Sequence, residues 1–152
     1  MIVHAENSNI DAAAKIYTLS WKDSHKNVCS EEFIEKHSEE YMKAYLSEKQ
    51  RNGCEIYICY EKETPVGIVG KSPDDEICLL YILPEYQGKG WGSLLLNYAV
   101  KLCKNPWVTV LETNKRAAEF YKKHGFAFVG EKDTLSKKRF SEHKYVYRGE
   151  NM

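Results

Sequence analysis

Gln87-Gly88-Lys89-Gly90-Trp91-Gly92 sits between a short apolar run (residues 77–83), from which Pro84-Glu85-Tyr86 separates it, and an amphipathic one (residues 93–103) that follows at once. A strand must therefore pass through a glycine turn straight into a helix. Such a junction aims several backbone N–H groups and the positive end of a helix dipole at one spot, which suits a phosphate. The glycines let the backbone approach a ligand closely and take positive φ where the turn needs it. Two familiar phosphate loops do not fit the letters. A P-loop needs Ser or Thr after its Lys, and Lys89 is followed by Gly90. A dinucleotide fingerprint needs G-x-G-x-x-G near the start of a βαβ unit; these glycines run G-x-G-x-G behind a long helical region. A protein for NAD or a nucleoside triphosphate is disfavoured.

The remaining elements arrange themselves around this junction. Residues 1–5 read as a short extended opening. From Ser8 or Asn9, the positions Ile10, Ala13, Ala14, Ile16, Tyr17 and Trp21 recur at helical spacing, with Asp11 suited to the first turn. Ser30 can cap a second helix whose inner face is marked by Phe33, Ile34, His37, Tyr41, Ala44 and Tyr45; Arg51-Asn52-Gly53 ends it. Residues 55–60 and 66–70 form a hairpin, and residues 76–83 a third strand. A helix (residues 92 to about 104), a strand (107–112) and a helix (115–124) closed by Gly125 follow. Residues 126–130 and 144–148 are late strands around a polar loop (132–143). A meander followed by alternating strands and helices predicts a single domain over residues 1–152: an α/β (α+β) fold with one mixed sheet and helices on both faces.

The pattern Q-x-x-G-x-G, carried by Gln87, Gly90 and Gly92, continues the preceding Leu80-Tyr81-Ile82-Leu83-Pro84-Glu85-Tyr86. Together they closely resemble the acyl-CoA-binding segment of the GCN5-related N-acetyltransferases (the GNAT superfamily). Asn114-Lys115-Arg116-Ala117-Ala118-Glu119-Phe120-Tyr121, followed by Lys122-Lys123-His124-Gly125-Phe126, is similar to that family's later N-x-x-A-x-x-F-Y-x-x-x-G-F segment. The resemblance covers residues 54 to 130 or so, and the remainder by general layout. It implies a central, mostly antiparallel sheet whose two middle strands splay apart to admit acetyl-CoA as cosubstrate. It further implies that turn amides hold the pyrophosphate, which puts Gln87, Gly88, Lys89, Gly90, Trp91, Gly92 and Ser93 at the cosubstrate. Main-chain groups of Ile82 and Leu83 are expected at the carbonyl and pantetheine, and Asn114 as a further contact or as the cap of its own helix. Lys89 is either a charge near the phosphates or a solvated loop lysine. Trp91 either packs beneath the loop or lies near the adenine, and the rarity of fully exposed Trp favours packing.

Acyl transfer to an amine requires a held thioester, an amine that loses its proton and a stabilised leaving thiolate. The resemblance makes Tyr121 the group that protonates the thiolate, and a phenol is protonated at neutral pH. Two glutamates are candidate bases. Glu76, eleven residues before Gln87, matches the histone-type branch. Glu112 matches the ribosomal-protein branch, although the spacing to Asn114 is shorter here. Each can equally be a solvated strand end, and a water chain to no single base is the third option. His37 on an apolar helical face reads as a packed or hydrogen-bonded histidine. Trp21, Tyr41, Tyr45, Tyr81, Phe140 and Tyr145 either line an amine pocket or form core. Lys137-Lys138-Arg139 reads as a solvated loop. The expected activity is N-acetylation of a primary amine of a small molecule or peptide by direct attack. The alternative is an acyl-CoA-binding module without transfer chemistry, and a longer acyl group is a third possibility.

Lys plus Arg equals Asp plus Glu at 22 each, so nothing in the net charge draws the chain to nucleic acid or an anionic membrane. No run is long enough to span a bilayer, and residues 1–20 lack the layout of a signal peptide, which predicts a cytoplasmic protein. Five cysteines (Cys29, Cys54, Cys59, Cys78, Cys103) show no zinc-ligand spacing and are expected to be reduced and structural, with no metal implied. The family resemblance allows a homodimer, for which the sequence carries no signal.

Overall fold

The computed structural model describes residues 1–27, 29–132 and 142–149. Strand β1 (Ile2–His4) and helix α1 (Ile10–His25) lead to α2 (Glu31–Glu35) and α3 (Glu39–Arg51). Strands β2 (Glu55–Glu61), β3 (Thr64–Lys71) and β4 (Ile77–Ile82) follow. A 3₁₀ turn (Pro84–Tyr86) and the glycine segment enter α4 (Trp91–Leu102). The chain continues through β5 (Trp107–Leu111), α5 (Lys115–Lys123), β6 (Phe126–Lys132) and β7 (Glu142–Tyr147). No helix among the described residues is long and apolar enough to cross a membrane.

The strands are antiparallel with helices on both faces, as expected, but the expected single sheet is divided into two. One is antiparallel in the order β1-β2-β3-β4, the other antiparallel in the order β5-β7-β6. Their junction is a parallel bridge between Glu76 and Trp107, just before β4 and at the start of β5. The Trp107 amide also donates to the Asp75 carbonyl, and its indole N–H to the Asp74 carbonyl. Beyond this pinned end no ladder joins β4 to β5, so their C-terminal ends diverge.

Two apolar layers hold the sheets. Ala13, Ala14, Ile16 and Tyr17 of α1 with Met42 and Leu46 of α3 cover Ile56, Ile58, Ile68 and Leu79. On the opposite face Leu95, Leu96 and Ala99 of α4 pack on Val66, Val69, Ile77, Val108 and Val110, joined by Phe120 and Tyr121 of α5. Leu95 and Leu96 are fully buried, each worth roughly 1.5–3 kcal/mol of removed apolar surface. The sequence pattern misplaces one element. The expected second helix breaks at Lys36–His37, and Ser38 starts a new one by accepting the Tyr41 amide. Phe33, Tyr41, Ala44 and Tyr45 are exposed, and Met42 and Leu46 make the buried face instead. The new cap resets the helical phase, so an inner face counted from Ser30 falls out of step. The polar loop lies mostly outside the described residues, as do Phe140 and Lys137-Lys138-Arg139.

Candidate active site

At the diverging end of β4 the Leu83 amide donates to the Val66 carbonyl at 2.9 Å. Ile82 and Gly67 therefore form a non-hydrogen-bonded pair, and the Ile82 N–H and C=O point away from β3, toward the gap left by β5. The carbonyl accepts from Ser20 Oγ at 3.1 Å and from Gln87 Nε2 at 3.0 Å. Gln87 thus shapes the turn with its side chain, folding it back over the strand end. The Ile82 amide is the backbone donor that faces the gap.

Gly88 and Gly90 take φ of +76° and +94°, the left-handed region that side chains rarely adopt. An added Cβ on either would meet nothing within 4 Å, so the turn is open to solvent on that side. Helix α4 starts at this turn without a side-chain cap, whereas Ser30, Ser38 and Asn114 each accept an amide of their own helices. The first N–H groups of α4 are left for an incoming anion. Lys89 is exposed with Nζ 5.5 Å from the Tyr86 ring centre, a cation–π contact beside the turn. Trp91 packs into the α4 layer.

Helix α5 closes the same side. Asn114 Oδ1 accepts the Ala117 amide at 3.1 Å, so capping is the role its oxygen fills. Phe120 lies under Gly92, 3.5 Å from where a Cβ would stand. His124 Nδ1 donates to the Phe120 carbonyl at 2.8 Å, which leaves Nε2 to accept from Ser93 Oγ at 2.8 Å. This link ties α5 to the first turn of α4. Tyr121 packs its ring edge-on to Phe120 and Phe126. Burial, followed by the influence of Tyr81, pushes its phenol well above the usual tyrosine range. No sealed side-chain oxygen among the described residues lacks a partner, and no described group bonds the Tyr121 hydroxyl. That hydroxyl therefore opens onto accessible space as a protonated donor.

Across the gap Tyr81 of β4 packs against Tyr17, with ring centres 4.9 Å apart, and Tyr17 against Tyr45 at 5.7 Å. Burial first, then Tyr45 and Cys78, push the Tyr81 phenol up to about 12. Trp21 is stacked between His25 and His37, each ring 4.1 Å away. His37 Nδ1 donates to the Phe33 carbonyl, so it is a packed, hydrogen-bonded histidine. Tyr145 is core and Tyr41 is exposed. A recess of about 330 Å³ borders Leu83 and Tyr86 from the α1 side, lined also by Ile16, Leu19 and Glu85. Leu19 and Glu85 gave no sequence signal, because an exposed Leu on a helix and a Glu in a turn carry no periodicity.

The two glutamates lie on opposite faces. Glu76 precedes Ile77 of the α4 layer and so faces the α1–α3 layer, where its Oε2 accepts from Thr109 Oγ1 at 3.4 Å. Glu112 follows Val110 by two residues and shares its face, with Oε2 3.9 Å from His143 Nε2. Among the described residues Glu112, Glu131 and His143 bring ligand-type atoms within 4.8 Å of one another, with both glutamates exposed. Solvated strand-end groups adopt such a grouping without an ion.

Comparison with known proteins agrees with this fold. The model of the acetyltransferase (GNAT) family matches residues 14–126. Over 82 residues the chain is 35% identical to the peptidyl-lysine N-acetyltransferase YjaB of Salmonella typhimurium, covering 51% of this chain and 54% of the relative. In sequence the chain thus spans about half the length of the curated relatives it matches. The solution structure of apo-form YjaB from Escherichia coli superimposes with a TM-score of 0.75 at 25% identity, covering 98% of this chain and 97% of that one. The PaiA N-acetyltransferase of Thermoplasma acidophilum, solved in complex with coenzyme A, shares the fold with a TM-score of 0.72 at 23% identity, covering 95% and 96%.

Proposed function

The chain belongs to the acetyltransferase (GNAT) family, and on that footing we propose that it moves an acetyl group from acetyl-CoA to a primary amine of a small molecule or peptide. Attack is direct, within a ternary complex. The observation that carries this reading is the open, uncapped glycine turn at the start of α4, at the end of the strand whose Ile82 amide points away from β3.

Each group has a task. The amides of the turn and the first turn of α4 bind the pyrophosphate of acetyl-CoA, with Lys89 adding charge. The Ile82 N–H donates to the thioester carbonyl and strengthens its hold as the oxygen gains charge in the tetrahedral state. Tyr121 donates a hydrogen bond to the departing thiolate. Its raised pKa keeps it protonated, so it stabilises the leaving group more than it surrenders a proton. Because the phosphates occupy the α4–α5 side, the amine enters from the α1–α3 side. Glu76 faces that side and Glu112 does not, which supports Glu76 as the base, acting through water.

The Salmonella typhimurium relative is named a peptidyl-lysine N-acetyltransferase, so lysine side chains are the first acceptors to try. Calorimetric titration with acetyl-CoA, CoA, NAD and ATP tests the reading; selective binding of the CoA species followed by turnover on an amine panel is expected. Binding without turnover on any amine would favour a sensing module, and no CoA binding by folded protein would overturn the proposal.

A further inference from the structure

Two cysteines that are distant in sequence, one just ahead of β2 and one in β4, meet at a corner of the α1–α3 layer. Cys54 Sγ and Cys78 Sγ are 3.4 Å apart, with room between them for nothing larger than the shared proton. Cys54 stands just before β2, its amide donating to the Lys49 carbonyl at the end of α3 at 2.9 Å. Cys78 lies in β4, on the far side of β3. Cys54 is buried and Cys78 half-buried. Both thiols are free.

We propose that Cys54 and Cys78 are a thiol pair that a peroxide oxidises to an intramolecular disulfide. Forming it needs the sulfurs to close from 3.4 Å to about 2.05 Å. The two thiols are not equivalent. The hydrogen bond from Cys78, aided by the Lys49 cation, holds the Cys54 thiol below the usual range, against the pull of burial. The same contact and burial push the Cys78 thiol up. Cys54 is therefore the nucleophile and Cys78 the resolving thiol. The Cys54 thiolate attacks one peroxide oxygen and the O–O bond breaks, giving a sulfenic acid and, after protonation, one water. The Cys78 sulfur then attacks the Cys54 sulfur and loses its proton. The S–O bond breaks and a second water leaves. Two thiols and one hydrogen peroxide become one disulfide and two waters. The bridge ties the α3–β2 corner to the strand that carries Tyr81 and Ile82, and its formation does not depend on the transferase reading.

The test is brief treatment of the folded protein with hydrogen peroxide, then denaturation and alkylation with iodoacetamide. The expected result is loss of two hydrogens from the intact mass, with three of the five cysteines alkylated. Cleavage after Glu55 separates Cys54 from Cys59, and a non-reducing map should join the Cys54 and Cys78 peptides. Reduction should restore five alkylations. Cys78→Ser should stop at a Cys54 sulfenic acid that dimedone traps. Five alkylated cysteines after peroxide, or a bridge joining any other pair or two chains, would overturn the proposal from the wild-type protein alone.

Discussion

Thr109 Oγ1 donates to Glu76 Oε2 at 3.4 Å, linking β5 to the start of β4 at the pinned end of the gap. The bond orients the Glu76 carboxylate on the face opposite the glycine turn, the side from which the proposed amine enters. Glu76→Gln should therefore lower kcat by about 100-fold, the lower range for a general base, while acetyl-CoA affinity stays unchanged. Glu112→Gln, on the other face, should stay within about threefold of wild type. Steady-state kinetics with calorimetry on both variants checks this; undiminished kcat in Glu76→Gln removes it as the base.

Tyr121→Phe keeps the edge-on packing against Phe120 and Phe126 and removes only the hydroxyl. Turnover should fall roughly 10- to 100-fold, with acetyl-CoA affinity and melting temperature nearly unchanged. The phenol lies above its ordinary value of about 10, so it remains a donor at any pH below that. An alkaline fall in kcat below pH 10 that vanishes in Tyr121→Phe would contradict the raised phenol.

Local chemistry and the β2–β3 hairpin were legible in the letters; relations between strands far apart in sequence were not. The glycine turn, α4 and the Asn114 cap follow from residue types within a few positions, because φ limits and helix ends are local. The break at His37 escaped because Ser38 competes with a continuing helix, and the periodic residues on either side look alike. Where the two sheets meet is set by the Glu76–Trp107 bridge, which joins residues 31 positions apart. For the same reason the opposite faces of Glu76 and Glu112, and the contact of Cys54 with Cys78, needed the fold.

Alanine substitutions separate the glycines of the turn. At Gly88 and Gly90 the methyl meets nothing, but φ of +76° and +94° strains any L side chain by roughly 1 kcal/mol. Relief of that strain moves the amides proposed to bind the pyrophosphate, so acetyl-CoA should bind at least tenfold more weakly. At Gly92 the added Cβ would stand 3.5 Å from Phe120, ordinary contact, and the position is helical. Gly92→Ala should leave the melting temperature within about 2 °C of wild type. Thermal melts and calorimetry of the three variants check the contrast, and equal loss of affinity at all three would mean that space, not φ, governs the turn.

The tyrosines around the gap set an alkaline limit on stability. Burial, which disfavours the phenolate, pushes the Tyr81 phenol up to about 12 in the folded protein, against an ordinary value of about 10 once unfolded. Above pH 10 the unfolded chain therefore holds fewer protons than the native one, and stability falls as pH rises. The contribution of Tyr81 is fully present below pH 10 and is lost as pH approaches 12. Tyr17 and Tyr121 are shifted in the same direction, chiefly by burial, and steepen the fall. Tyr81→Phe removes one of these titrations while keeping the ring against Tyr17. Urea melts at intervals from pH 8 to 11.5 should show wild-type stability declining from about pH 10, and the variant declining less steeply. Parallel curves for the two proteins would mean that the Tyr81 phenol is solvated in the native state, and that the α1–α3 side of the gap is open to water there.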